Sequence, residues 1–283
     1  MDSKRKDLTR VALGIASMFA IYWCYTYELP KPGGMPGTIV GLAALYGVGL
    51  GVFAFVIHKI PTQKPEKRKI SPQTVLLCFL LQFTASLVVV LLTMIMTALG
   101  LQSVSPKINP TTPYMLFMLL IFNPIMEEFV FRKLFADKLL QYGERFYILV
   151  SAFCFAIVHG VALGIPQIFY TFILGLIWSY LVVKTGDIKL AVLLHALSNL
   201  FGSVISQTLM SVSMILAGLY TMLMMLLGIV GVVLFLVNKK KIVLDGGTGL
   251  FKKDVFKEVF TNPGILLYAA VTVVVMILKA VLL

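Results

Sequence analysis

The sequence predicts an all-α fold, a polytopic transmembrane helical bundle of about eight to nine spans, and three observations carry that prediction. Hydrophobic residues make up 59% of the 283 and charged residues 13%, where soluble domains are about half apolar and a quarter charged. Long apolar runs recur along the whole chain. The basic residues fall in clusters at alternate connections between those runs.

A span needs roughly 17–25 mostly apolar residues. Runs near 11–29, 38–57, 74–101, 114–137, 146–164, 166–183, 188–209, 212–237 and 264–283 meet that length. The run 74–101 is long for one crossing, which predicts tilt. Lys279 interrupts the last run, so an interfacial helix is open there as well as a span. The start, basic and then apolar without a small-x-small cleavage site, reads as a retained signal-anchor helix.

Residues 1–10 hold four Lys/Arg, 58–73 five, 132–147 four, 184–189 two and 239–257 six, 21 of the 24. The other connections hold Lys31 and Lys107, with Lys279 the remainder. Such alternation places the N-terminus in the cytoplasm and, with nine spans, the C-terminus outside. The net charge of +12 is thus a topology signal, and no nucleic-acid patch is expected. Cys24, Cys78 and Cys154 sit inside apolar runs and read as small buried hydrophobes. The stretch 238–264 is the largest polar segment, with a short amphipathic helix expected at 250–260. Its "DGGTG" lacks the Lys-Ser/Thr and the preceding strand of a phosphate loop. No clear internal repeat appears, which counts against an inverted-repeat transporter.

Ionisable groups inside spans are costly and point to function. Five stand out, Glu127, Glu128, Arg132, His159 and His195, with Asn199 as a polar partner. Glu128 and Arg132 are four apart on one helix face and pair there. Glu127 lies about 100° around that helix with no local cation, so it needs a partner from another helix or shares a proton as a general base. Pro124, one turn earlier, removes a backbone donor and frees a carbonyl. His195 and Asn199 share a face of the seventh span, and Phe155 and His159 a face of the fifth. From the basic ends of their helices, Glu127, His159, Asn199 and His195 lie at depths of roughly 16, 21, 15 and 9 Å. They are expected to meet in one cavity opening toward the cytoplasm. His58, at the edge of the second span, reads as structural.

"EEFVFR" (127–132) has the pattern Glu-Glu-x-x-x-Arg, "FAIVH" (155–159) Phe-x-x-x-His and "HALSN" (195–199) His-x-x-x-Asn. In this order, on successive spans, they resemble the CPBP family of CAAX prenyl endopeptidases and bacteriocin-processing or immunity proteins. The resemblance covers roughly 70–210, dividing the chain into two N-terminal spans with a basic loop (1–69), a protease-like core (70–210) and C-terminal spans (211–283). It implies an intramembrane glutamate-type endopeptidase. Glu127 would be the base and His159 would help it activate water. His195 and Asn199 would stabilise the oxyanion, with Glu128 and Arg132 supporting the site. It also implies a bacterial plasma-membrane protein acting on a membrane-associated or hydrophobic peptide, in bacteriocin or signal-peptide processing or in immunity.

The chemistry of the residues agrees, since amide hydrolysis needs a deprotonated water and donors for the developing oxyanion. A catalytic zinc held by Glu127, His159 and His195 remains an alternative to a site without cofactors, although the usual His-Glu-x-x-His is absent. No Gly-x-Ser-x-Gly suggests a serine enzyme. Two other functions stay open: a non-proteolytic scaffold regulating a partner such as a sensor kinase, and a proton-coupled transporter.

Overall fold

The computed structural model describes residues 3–30, 32–100, 111–245, 247–248 and 251–282. Among them are nine helices long and apolar enough to cross a membrane: α1 (Ser3–Glu28), α2 (Gly34–Ile57), α3 (Pro72–Ala98), α4 (Pro113–Tyr142), α5 (Glu144–Leu163), α6 (Ile165–Thr185), α7 (Lys189–Val212), α8 (Met214–Lys241) and, after a short helix α9 (Lys253–Phe260), α10 (Pro263–Val281). A hairpin of β1 (Val243–Leu244) with β2 (Gly247–Thr248), the only one among the described residues, leaves the protein an all-α polytopic bundle.

The helix starts follow from local chemistry. Ser71 and Thr112 each accept a hydrogen bond from the backbone N–H three residues on, and each is followed by proline. Ser213 caps α8 in the same way, and the Asn262 side chain accepts from the N–H groups of Gly264 and Ile265 ahead of α10. A capping oxygen satisfies donors the helix cannot, and proline at the first turn loses nothing. α1 starts earlier than its apolar run, at Ser3. Most of its polar turn is exposed, but Asp7 is buried, where it pairs with Arg10 at 3.4 Å and accepts from the Tyr142 hydroxyl at 2.6 Å.

α5 is the central helix, with Arg145 to Ala152 all buried. α6 packs closely along it, a Cβ built on Gly175 reaching 2.9 Å from Ala152 Cα. α8 lies on α3 through Gly228 and Gly231, whose faces touch the backbone at Phe83 and Leu80. Small residues bring helices together in lipid, where apolar burial gives no advantage over the tails.

The basic segments bind one end of the bundle together. Lys138 Nζ donates to Ile60 O and to Thr62 Oγ1, both at 2.7 Å, and Arg68 N–H donates to Thr185 O at 2.9 Å. The Asp245 carboxylate accepts from the N–H groups of Glu144 and Arg145, at 2.7 and 3.1 Å, and so caps α5. Lys4 pairs with Glu258 of α9 at 2.6 Å.

Lys279 takes a specific place at the opposite end. α10 packs lengthwise on α1 and α5, and the Lys279 ammonium donates to Val161 O at 2.8 Å and Ala162 O at 3.1 Å. It fills the carbonyls that α5 leaves open where it stops, so the residue that interrupts the last apolar run is also a helix cap.

Gly186 ends α6 at φ +66°, and a Cβ there would fall on the Glu66 carbonyl of the basic strap. Gly186→Ala combines a left-handed strain of roughly 1–2 kcal/mol with that collision. Its melting temperature in detergent is expected to fall clearly. Gly51→Ala, with nothing within 4 Å, should melt like the parent.

Candidate active site

Residues of α4 supply the carboxylates, and the helix is not regular there. Its stretches Met118–Phe122 and Phe129–Leu134 are π-helical, on either side of a normal turn containing Pro124, Glu127 and Glu128. In the first, Asn123 N–H bonds back five residues to Met118 O. The next carbonyl in that register, Leu119 O, would look to Pro124, which has no N–H. Asn199 Nδ2 of α7 donates to it at 2.8 Å. In the second stretch, Ser151 Oγ donates to Phe131 O at 2.7 Å and Tyr147 Oη to Arg132 O at 3.3 Å. Side chains of neighbouring helices thus satisfy the carbonyls that the irregular α4 exposes.

The charged groups form one chain of contacts. Arg132 Nε lies 3.1 Å from Glu128 Oε2, and both side chains are fully buried. The Arg132 guanidinium sits 4.2 Å over the Phe155 ring and 5.3 Å from the Trp178 ring, an arrangement that favours a buried cation. Glu128 Oε1 meets His195 Nδ1 at 2.9 Å. His195 Nε2 then lies 3.8 Å from Glu127 Oε2, and His159 Nε2 lies 3.6 Å from the same oxygen. The partner Glu127 lacks on its own helix comes from α5 and α7.

The acceptors also assign the imidazole hydrogens. His159 Nδ1 is 2.7 Å from Phe155 O, and a carbonyl only accepts, so that nitrogen carries the hydrogen. His195 Nδ1 donates to Glu128 in the same way. Both rings therefore turn Nε2 toward Glu127. Stacking on Trp178, at 4.3 Å and 19°, fixes the His195 plane, and the Trp178 N–H is held by Gln82 Oε1 at 3.0 Å.

Glu127, His159, His195 and Asn199 all line a cavity of about 1150 Å³. Asn199 stands apart from the carboxylates, its amide engaged with Leu119 O. His58 lies outside this group and bonds locally to Phe55 O. Trp178 and Gln82 do not figure among the motif residues. Their signal in the sequence is slight: a tryptophan and an amide inside spans, each needing a polar partner.

Among the described residues the cavity opens at the end opposite the basic segments, whereas the helix depths suggested an opening at the end that carries them. Its lining reaches Pro32, Gly33, Gly34, Leu163 and Gln207 and includes no residue of the basic loops. Toward the basic end the bundle is filled by Phe131, Phe135, Tyr147 and Arg132, all 2% exposed or less. Toward the other end, α4 continues roughly 21 Å past Glu127, whereas α5 stops roughly 6 Å past His159. This low hairpin leaves the bowl open. The possible zinc ligands Glu127, His159 and His195 are neighbours, yet among the described residues no group of three or more His, Cys, Asp or Glu is placed to hold a metal ion.

Residues 109–201 match the family model described as Type II CAAX prenyl endopeptidase Rce1-like. The match is consistent with membership of the CPBP family. The Rce1-like segment contains every residue of the contact chain and spans α4 to the middle of α7. No curated protein and no solved structure matches the chain.

If Asn199 answers the carbonyl left open by Pro124, the two positions are coupled. Asn199→Ala is expected to cost roughly 1 kcal/mol, the scale of one hydrogen bond between helices in a membrane. In a Pro124→Ala background, which restores a backbone N–H, the same change should cost measurably less. A double-mutant cycle on thermal stability reads the difference.

Proposed function

We propose that the chain is an intramembrane endopeptidase of the glutamate type, hydrolysing a peptide bond in a membrane-associated or hydrophobic peptide. The observation that carries this reading is the position of Glu127. Its Oε2 faces the Nε2 atoms of two histidines at the floor of a cavity large enough for a peptide. The Rce1-like match supports a CAAX-type protease at the level of the family.

A water between Glu127 Oε2 and His159 Nε2 can donate one hydrogen to each, which leaves its lone pair turned to a substrate carbonyl. As the water oxygen bonds the carbonyl carbon, Glu127 takes the proton. Charge then develops on the carbonyl oxygen. Asn199 has a second N–H beyond the one given to Leu119 O, and His195, when protonated, presents Nε2–H. These are the donors the oxyanion requires. Collapse of the intermediate breaks the C–N bond, and the leaving amine takes the proton back from Glu127. Glu128 and Arg132 orient His195 from below and need not touch the substrate.

Processing of a secreted or bacteriocin-like peptide, signal-peptide processing, or immunity against such a peptide are the physiological roles proposed. The location proposed is a bacterial plasma membrane with the N-terminus in the cytoplasm. Comparing membrane and secreted peptides from cells carrying the parent and Glu127→Ala identifies the substrate; unchanged peptides would leave a scaffold or a transporter as the better reading.

On the peptide so found, Glu127→Gln should lower turnover by the roughly 10²–10⁴-fold of a lost general base, with melting nearly unchanged. Arg132→Ala strands Glu128 in the interior, a loss of roughly 3–5 kcal/mol, and should lower both melting temperature and yield. Normal cleavage by Glu127→Gln would overturn the assignment of the base. Activity is expected to survive EDTA; loss on chelation with recovery on adding zinc would establish the metal alternative.

A further inference from the structure

We infer that substrate reaches Glu127 from the extracytoplasmic side, as a weakly charged peptide segment rather than a free carboxyl terminus. The inference rests on the endopeptidase reading for what is cut, and on two independent observations for where it enters.

The first is the charge distribution. Of the 24 Lys and Arg, 21 lie in the segments 1–10, 58–73, 132–147, 184–189 and 239–257. Hydrogen bonds tie these segments together at one end of the bundle, 58–73 to α4 and α6 and the hairpin to α5 and α6. Lys and Arg in short loops stay in the cytoplasm, so this is the inner end.

The second is the cavity, which is closed at that end and open at the other. Its mouth is formed by the α1–α2 turn, the α5–α6 turn and the end of α7. A peptide arriving from the cytoplasm would have to pass the packed layer of Phe131, Phe135, Tyr147 and Arg132. Among the described residues, none forms such a layer on the route from outside.

The lining describes what fits. Tyrosines 22, 25, 114 and 220, serines and glycines make up much of the wall. Among the described residues that line it there is no Lys or Arg, and Glu127 is the single carboxylate. A terminal carboxylate would meet no Lys or Arg among these described lining residues and would face Glu127. An internal segment of an exported peptide brings neither difficulty, and the hydroxyls can bond its backbone.

The test is thiol accessibility in intact cells, using the full chain with Cys24→Ser, since Cys78 and Cys154 are buried. Single cysteines are placed at Gln167 and Asn123 in the cavity wall and at Lys64 on the basic strap. A charged, membrane-impermeant methanethiosulfonate is expected to modify Gln167→Cys and Asn123→Cys from outside. Lys64→Cys should stay unmodified until the cells are permeabilised. Modification of Gln167→Cys only after permeabilisation, or of Lys64→Cys before it, overturns the inference. So does a folded Gln167→Cys protein that reacts from neither side. If Asn123→Cys fails to fold, Gln167→Cys decides alone. Labelling needs no catalysis, so a protein that labels from outside but cleaves nothing sinks the endopeptidase reading and leaves the access route standing. For an active protein, right-side-out vesicles should cleave an added carboxyl-amidated peptide faster than its free-acid form, and equal rates overturn the substrate class.

Discussion

The contact between Glu128 and Arg132 is the constraint from which the rest of the site follows. Two charges in a membrane interior are costly unless each is compensated. Here the compensation comes from the ion pair, one imidazole and two rings, with Arg132 Nη1 and Nη2 left without hydrogen bonds among the described residues. Their separation of 3.1 Å compensates one oxygen and one nitrogen. The remaining oxygen of Glu128 requires a donor, which α7 supplies as His195. The remaining face of Arg132 requires electron-rich surface, which α5 and α6 supply as Phe155 and Trp178. One ion pair on α4 thereby dictates a residue on each of three other helices and brings them to one level. Glu127, next in the chain, then has its two histidines without further arrangement.

The same helix shows how irregular backbone is used. A proline and two π-helical stretches break the hydrogen-bond ladder of α4 around the carboxylates, as such stretches often do at functional sites. In water the open carbonyls would be solvated; in a bilayer they must find protein donors. Asn199, Ser151 and Tyr147 are those donors. Asn199 is therefore at once part of the cavity wall and the clip that holds α7 to α4.

Spans and helix starts were largely legible in the sequence, because length, capping residues and proline act locally. The meeting of Glu127, His159 and His195 was legible because isolated polar residues in spans have few places to go. Three things were not. The basic turn of α1 is helical since Asp7 finds Tyr142, a partner far away in sequence. Trp178 and Gln82 serve the site through a contact that no motif spacing encodes. The direction of the cavity escaped because helix periodicity gives depth along each helix, while the opening depends on how unequal helices are staggered.

That stagger reaches beyond the protein to its lipid. Beside the α5–α6 hairpin the protein wall stops well short of its neighbours, and Ile165 and Phe169 are half exposed there. Acyl chains around Gly164 meet a step, which a bilayer accommodates by thinning or tilting at a fraction of a kcal/mol per Å. Shorter tails relieve the step and longer tails deepen it. His159 lies one helical turn below, so the thickness of the surrounding membrane sets the height of the rim at the end away from the basic segments.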